Sequence, residues 1–205
     1  MSNFVSLFYK TASIMRKFLF YAMIAIVAFA AKAQHSDIDV EVVAGVNSAN
    51  ISYGGIVSRT GFHAGLRLSK DLKFFTEENA IYGNVGALLS LKGGKEKTDD
   101  GNIIYNPYYL EVPVHVGYSY QANPNYKFYF EMGPYLAVGL FGKTEGATVF
   151  GDLDFRRFDV GAGFRTGVQI YKHYSLSLGY DVGFINVQKG TGANKNFYLS
   201  AGYKF

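Results

Sequence analysis

The 205-residue chain has no cysteine, no tryptophan and only four prolines. The missing cysteine excludes a disulfide scaffold, a thiolate metal site, a cysteine nucleophile and an N-terminal cysteine for a lipid anchor. The body of the chain also lacks any charge excess. Formal net charge is +4, but Lys10, Arg16, Lys17 and Lys32 fall within residues 1–33, where there is no acid. Those four carry the whole excess, and the remainder balances Lys+Arg against Asp+Glu. No nucleic-acid partner is expected, because phosphate affinity needs a concentrated positive surface. After Asp39 no apolar run is long enough for a membrane helix, and helical periodicity is absent. Two things are plentiful: 24 glycines, and aromatics at 17% of residues with 17 tyrosines among them. The length suits a single domain.

Residues 1–33 read as an export signal. Met15-Arg16-Lys17 opens a charged region, Phe18 to Ala31 is apolar, and Ala31-Lys32-Ala33 offers small residues for cleavage before Gln34. An uncleaved anchor or a core helix is the rival reading, disfavoured because a spanning helix needs about 20 apolar residues. Met15 is a second candidate start. The expected organisation is a signal peptide over 1–33 and a barrel domain over 34–205.

From Asp39 onward apolar and polar residues alternate with a period of two, which is the strand signal. In the last segment Phe197, Leu199, Ala201, Tyr203 and Phe205 interleave with Asn196, Tyr198, Ser200, Gly202 and Lys204. Four earlier segments behave alike, near 109–121, 126–142, 158–170 and 174–184, and three more, near 39–48, 61–69 and 80–92, alternate more weakly. The connections alternate too. Long ones (49–60, 93–107, 143–156, 187–194) are separated by tight turns at Lys70–Lys73, Ala122–Asn125 and Lys172-His173. Eight strands with long loops at one rim and short turns at the other predict an all-β fold, an antiparallel up-and-down barrel.

The charges choose between a soluble and a membrane barrel. In the fourth to eighth segments no ionised residue interrupts the apolar face, while the other face carries Glu111, Glu131, Asp159, Arg165, Asp181 and Lys204. A soluble barrel would bury those ions without compensation, whereas a membrane barrel turns them inward, where opposite signs pair. Tyr118, Tyr120, Tyr126, Phe128, Tyr171, Tyr174, Tyr203 and Phe205, with Phe74 and Phe75, lie beside the short-turn rim as an interfacial aromatic girdle would.

The segments YLEVPVHVGYSY (109–120), FYFEMGPYLAVGLFGK (128–143), FDVGAGFRTGVQIYKHYSLSLGYDVGFINV (158–187) and KNFYLSAGYKF (195–205), with GVNSANIS (45–52) and GFHAGL (61–66), resemble the PorT-like outer-membrane β-barrel proteins of Bacteroidota. The resemblance spans most of 40–205. It implies an eight-stranded outer-membrane barrel with no cofactor, and it fixes no activity. PorT itself is linked to protein secretion to the cell surface, but the matching motifs build barrels and do not single out that role. Phe205, with Tyr203 and Leu199 at alternate positions, resembles the C-terminal signal read by the barrel-assembly machinery.

Chemical hints along the chain have blander rivals. Gly161, Gly163 and Gly167 match a nucleotide loop only loosely and read better as room for large lumen neighbours such as Arg165. Glu111 and His115 lie on one strand face roughly 13 Å apart, too far to share a proton or a metal. Asp99-Asp100 and Asp152-x-Asp154 carry oxygens suited to a divalent cation, but solvated loop charge is the simpler reading. A lipid enzyme needs a nucleophile and base reachable from the membrane, and the histidines do not fit: His35 precedes the barrel, His63 and His115 point inward, and His173 is in a turn. No catalytic, metal or cofactor site is therefore expected.

The expected site is a polar lumen network of Glu41, His63, Arg67, Glu111, His115, Glu131, Asp159, Arg165, Asp181 and Lys204. Eight strands leave an interior just wide enough for side chains to fill, so ion pairs would plug it. Turn positions predict Arg165 opposite Asp181 and His115 near Glu131 as cross-strand inner-face pairs. The functional expectation is a structural or surface-interaction barrel in contact with outer-membrane lipid and lipopolysaccharide. Its external loops, the longest being 93–107, would be the contact regions. A narrow solute pore and an accessory role in protein secretion remain as alternatives.

Overall fold

The computed structural model describes residues 38–51, 56–98, 101–144, 147–188 and 190–205. The expected signal peptide, the start at Met15 and Asp99-Asp100 lie outside the described residues. Eight long strands follow in order: β1 Asp39–Ile51, β2 Arg59–Phe74, β3 Asn79–Leu91, β4 Asn106–Asn123, β5 Tyr126–Thr144, β6 Phe158–Ile170, β7 Tyr174–Asn186 and β8 Ala193–Lys204. Each pairs antiparallel with its chain neighbours, and β1 pairs with β8 from Glu41↔Lys204 to Ile51↔Asn194, closing the ring. Closure leaves none of these strands with a free edge. The two-residue strand Ala147–Thr148 extends the end of β5. The fold is the all-β, eight-stranded up-and-down barrel that the alternation implied.

Alternation becomes an inside and an outside. Along β4, Tyr109, Glu111, His115 and Ser119 are buried while Leu110, Val114, Val116, Tyr118 and Tyr120 are exposed. The exposed face is apolar on every strand, through Val46, Phe62, Leu89, Met132, Phe164, Leu178 and Leu199 among others. A monomer in water does not carry an apolar belt of that extent, but a bilayer requires one. Strands of 12 to 19 residues exceed the roughly 9–11 needed to cross a hydrocarbon core at a tilt.

The aromatic residues expected at the short-turn rim are all exposed there. Several touch across strands: Tyr126 and Tyr171 at 6.5 Å, Tyr174 and Tyr203 at 5.5 Å, and Tyr203 and Phe205 at 5.2 Å between ring centroids. Tyrosine serves the lumen as well, with Tyr82, Tyr109, Tyr135 and Tyr198 buried inside. The girdle alone does not explain the tyrosine excess.

Two connections differ from expectation. Lys70–Lys73 is strand rather than turn. β2 stays paired with β3 past a bulge at Leu72, through Phe74↔Ala80, and the chain reverses at Phe75–Glu78. The loop 93–107 is ordered where it is described. Strands Lys95–Thr98 and Gly101–Ile104 form a hairpin, and Ile56–Val57 of the preceding loop adds to Lys95–Thr98 as a third strand. Charge along this hairpin reads as loop because the strands are joined through backbone pairs that leave no period in the side chains.

Candidate functional site

The polar face that the strand period turns inward meets at Glu131 of β5. Its carboxylate is fully buried and accepts hydrogen bonds from Arg165 Nε of β6 at 2.7 Å, Tyr82 OH of β3 at 2.9 Å and His115 Nδ1 of β4 at 3.2 Å. Arg165 is the register partner of Glu131 across β5–β6. Its Nη1 reaches on to Glu41 of β1 at 3.5 Å, and Ser175 of β7 donates to that same carboxylate. One chain of charge-assisted bonds thus crosses the lumen from β3 to β1. Charge-assisted bonds of this kind are roughly twice as strong as neutral ones.

The predicted pair of His115 and Glu131 is in contact, though diagonally, because Gly117 is the residue directly opposite Glu131. Arg165 and Asp181 both point inward but are not partners. Arg165 faces Gly179, and Asp181 faces Gly163. The register is displaced by two because the reversal is centred on Lys172, with Ile170 opposite Tyr174, and Tyr171 and Lys172 have φ values of 50° and 65°. His173 N closes this turn on Ile170 O. Two positive-φ residues at such a turn are ordinarily signalled by Asn-Gly, and Tyr-Lys carries no such signal.

The other site residues are spread along the lumen. Lys204 pairs with Asp39 at 2.6 Å beside the short turns. Arg67 is the register partner of Glu41, is 2% exposed, and its Nε and Nη1 make no hydrogen bond among the described residues. Nearer the long loops, Asp159 accepts from Tyr135 OH at 3.2 Å and Asn194 at 2.9 Å, and Asp181 accepts from Asn196 at 3.4 Å. Glu111 pairs with Lys92, whose ammonium sits 4.5 Å from the Tyr135 ring centroid. His63 Nε2 is 2.7 Å from Ser200 Oγ, but both residues are buried and His63 Nδ1 has no hydrogen-bond partner among the described residues. A serine nucleophile needs access and a base held by a third group, and this pair has neither.

Beyond Glu111 and Asp159 the interior turns apolar. Val149 and Phe155 of the β5–β6 loop pack with Ile51 and Val187, and Tyr105, Phe150 and Leu153 surround them. Phe150 also meets the buried Tyr109, Tyr135 and Ala137. Arg156 N donates to Val187 O at 2.7 Å and Gln188 Nε2 to Leu153 O at 3.0 Å, tying the two loops together. The short-turn end is different: a polar vestibule lined by Asp39, Lys127, Gln169 and Lys204 opens there.

Sequence reasoning left Lys92, Asp39, Tyr82 and the apolar cap out of the site. Lys92 lies on the polar face of the 80–92 segment, in phase with Asn84 and Ser90, and that position already signals its inward direction although it is not counted in the expected network. Val149, Phe155 and Val187 are isolated apolar residues in polar loops, and no period connects them. The lumen glycines do make room, though for neighbours other than Arg165: a side chain at Gly163 would strike Asp181, and one at Gly167 would strike Tyr129. Asp152 is occupied by the fold. Thr148 N and Oγ1 donate to its carboxylate at 2.7 and 2.9 Å, which holds the carboxyl below its usual range. Among the described residues no group of acids and histidines has metal-binding geometry. Leu199, Tyr203 and Phe205 all face outward, and Phe205 N bonds Val40 O at 3.0 Å.

Comparison with curated proteins gives no match. Among solved structures the chain is similar to Ail, the attachment invasion locus protein of Yersinia pestis, at 13% identity, covering 83% of this chain and 100% of that one with a TM-score of 0.45. It is also similar to Neisserial surface protein A at 17% identity (82% and 96% covered, TM-score 0.48) and to the outer membrane enzyme PagL at 15% (80% and 97%, TM-score 0.48). The family profile described as outer membrane protein beta-barrel domain matches residues 31–189. With a closed ring of strands, an apolar exterior and a polar interior, the chain belongs to the outer membrane protein beta-barrel domain family and is an integral protein of the outer membrane.

Proposed function

We propose that the protein is exported by residues 1–33 and serves a structural or surface-interaction role, with a lumen occluded by its own side chains. The supporting observation is Glu131, which gathers bonds from three other strands at full burial. Side chains that satisfy one another across the interior leave no continuous path for a hydrated solute. The external loops are then the contact regions, facing lipopolysaccharide or a surface protein, and Leu199, Tyr203 and Phe205 are read by the barrel-assembly machinery. The reading includes no cofactor, no nucleic-acid partner and no catalysis, in keeping with a His63–Ser200 pair that is sealed and unoriented.

Single-channel recording in a planar bilayer is the test. The expected outcome is no steady current, and steady ohmic openings would replace this reading with a narrow pore. The motifs at 109–120, 128–143 and 158–187 resemble PorT-like proteins of Bacteroidota without singling out their role, and a secretion-accessory role is the alternative. Deleting the gene and comparing surface-protein export decides that point.

A further inference from the structure

The lipid-facing wall is interrupted where β4 and β5 reach the long-loop rim. Tyr108 pairs with Phe141 and Tyr109 with Gly139, so Leu140 is the extra residue of a bulge. A bulge re-aims side chains, and here Leu140 and Phe141 are adjacent in sequence yet both exposed, at 44% and 55%. Tyr108 stacks on Phe141 with ring centroids 4.7 Å apart. Arg157, just before β6, holds the bulge. Its Nη1 donates to Gly139 O at 3.1 Å and Leu140 O at 3.3 Å, its carbonyl accepts from Gly139 N at 2.6 Å, and its guanidinium lies 5.1 Å from the Phe150 ring centroid.

Between the bulge and the β5–β6 loop is a groove of about 410 Å³, with Tyr108, Leu140 and Phe141 on its apolar side and Lys143 and Arg157 as its charges. Among the described residues no carboxylate lines it. The volume is within the range of small-molecule sites. An occupant must be apolar along one side and anionic at the end, and the groove opens on the apolar belt at the rim where a membrane lipid's head and chain meet. A free anion would leave the apolar wall exposed, and an acidic peptide would have to enter the bilayer to cover it.

We propose that this groove binds a phosphate-bearing lipid of the outer leaflet, its chain along Leu140, Phe141 and Tyr108 and its phosphate between Lys143 and Arg157. This rests on the surface-interaction reading and gives it a ligand. The test titrates the protein purified from membranes in non-ionic detergent with hexa-acylated lipid A, using native mass spectrometry. K143Q, which alters an exposed side chain, is expected to weaken retention about tenfold, as for loss of one charge-assisted bond. R157Q is expected to weaken it further, and K195Q on another strand to leave it unchanged. Phosphatidylcholine is expected to bind far less, and inorganic phosphate not to displace the lipid. Equal retention by wild type and K143Q, equal binding of phosphatidylcholine, or displacement by inorganic phosphate would overturn the proposal. Heat-modifiable migration of each variant on electrophoresis reports an intact barrel, and crosslinking to surface partners tests the broader role separately. A lost lipid site and a lost surface role are therefore told apart.

Discussion

The middle of the lumen and its long-loop end are filled by opposite means. In the middle, Glu131, Arg165 and Glu41 join strands distant in the chain through charged hydrogen bonds. At the loop end Val149, Phe155, Ile51 and Val187 exclude water through apolar contact. The first arrangement is directional and intolerant of losing a member, because a remaining charge stays buried without a partner. The second is non-directional and degrades with the area lost. The difference teaches that strand alternation specifies the first region, while loop folding specifies the second.

Replacing Glu131 with alanine strikes the comparison hardest. It leaves Arg165 buried with its main partner gone, and urea unfolding from lipid vesicles is expected to show a loss of about 3–5 kcal/mol. A loss of about 2 kcal/mol or less would mean that the middle is at least as forgiving as the cap. Phe155→Ala is expected to cost about 2–3 kcal/mol in the same assay, at or below the usual range for a buried phenylalanine since the ring is not wholly enclosed. If the regions are independent, the double variant loses the sum of the two. A smaller loss would show that the cap is held by the network beneath it.

The weakest expected effect separates loop from lumen by pH. Thr148 holds the Asp152 carboxyl below its ordinary range, so the folded turn binds a proton less readily than the unfolded chain. Its contribution is complete above the ordinary carboxylate pKa of about 3.9 and fades as pH falls through the lowered value. Amide resonances of Thr148 and Asp152 should shift together in that acid window while those of β5 and β6 hold still. Concerted loss of the strand signals would join the two regions into one unit.

How far the sequence could be read follows from the same contrast. The inward facing of Glu41, Arg67, Glu111, Asp159 and Asp181 was legible because a period of two allows a side chain only two directions. The contact of His115 with Glu131 was within reach because Asn-Pro-Asn marks its turn. Arg165 was assigned the wrong partner because Tyr171-Lys172 adopts a turn its residues do not advertise. The bulge at Leu140 was invisible, since an apolar pair at a strand end fits either register.

The amino-acid sequence by itself determined the strand number, the apolar exterior, the polar interior and the rim that carries short turns, because each follows from local periodicity and spacing. Only the tertiary structure decided which charges pair, that isolated loop residues assemble into an apolar cap, and that Arg157 clamps a bulge facing lipid. Those contacts depend on ring closure and on register, and register turns on one or two residues in a turn.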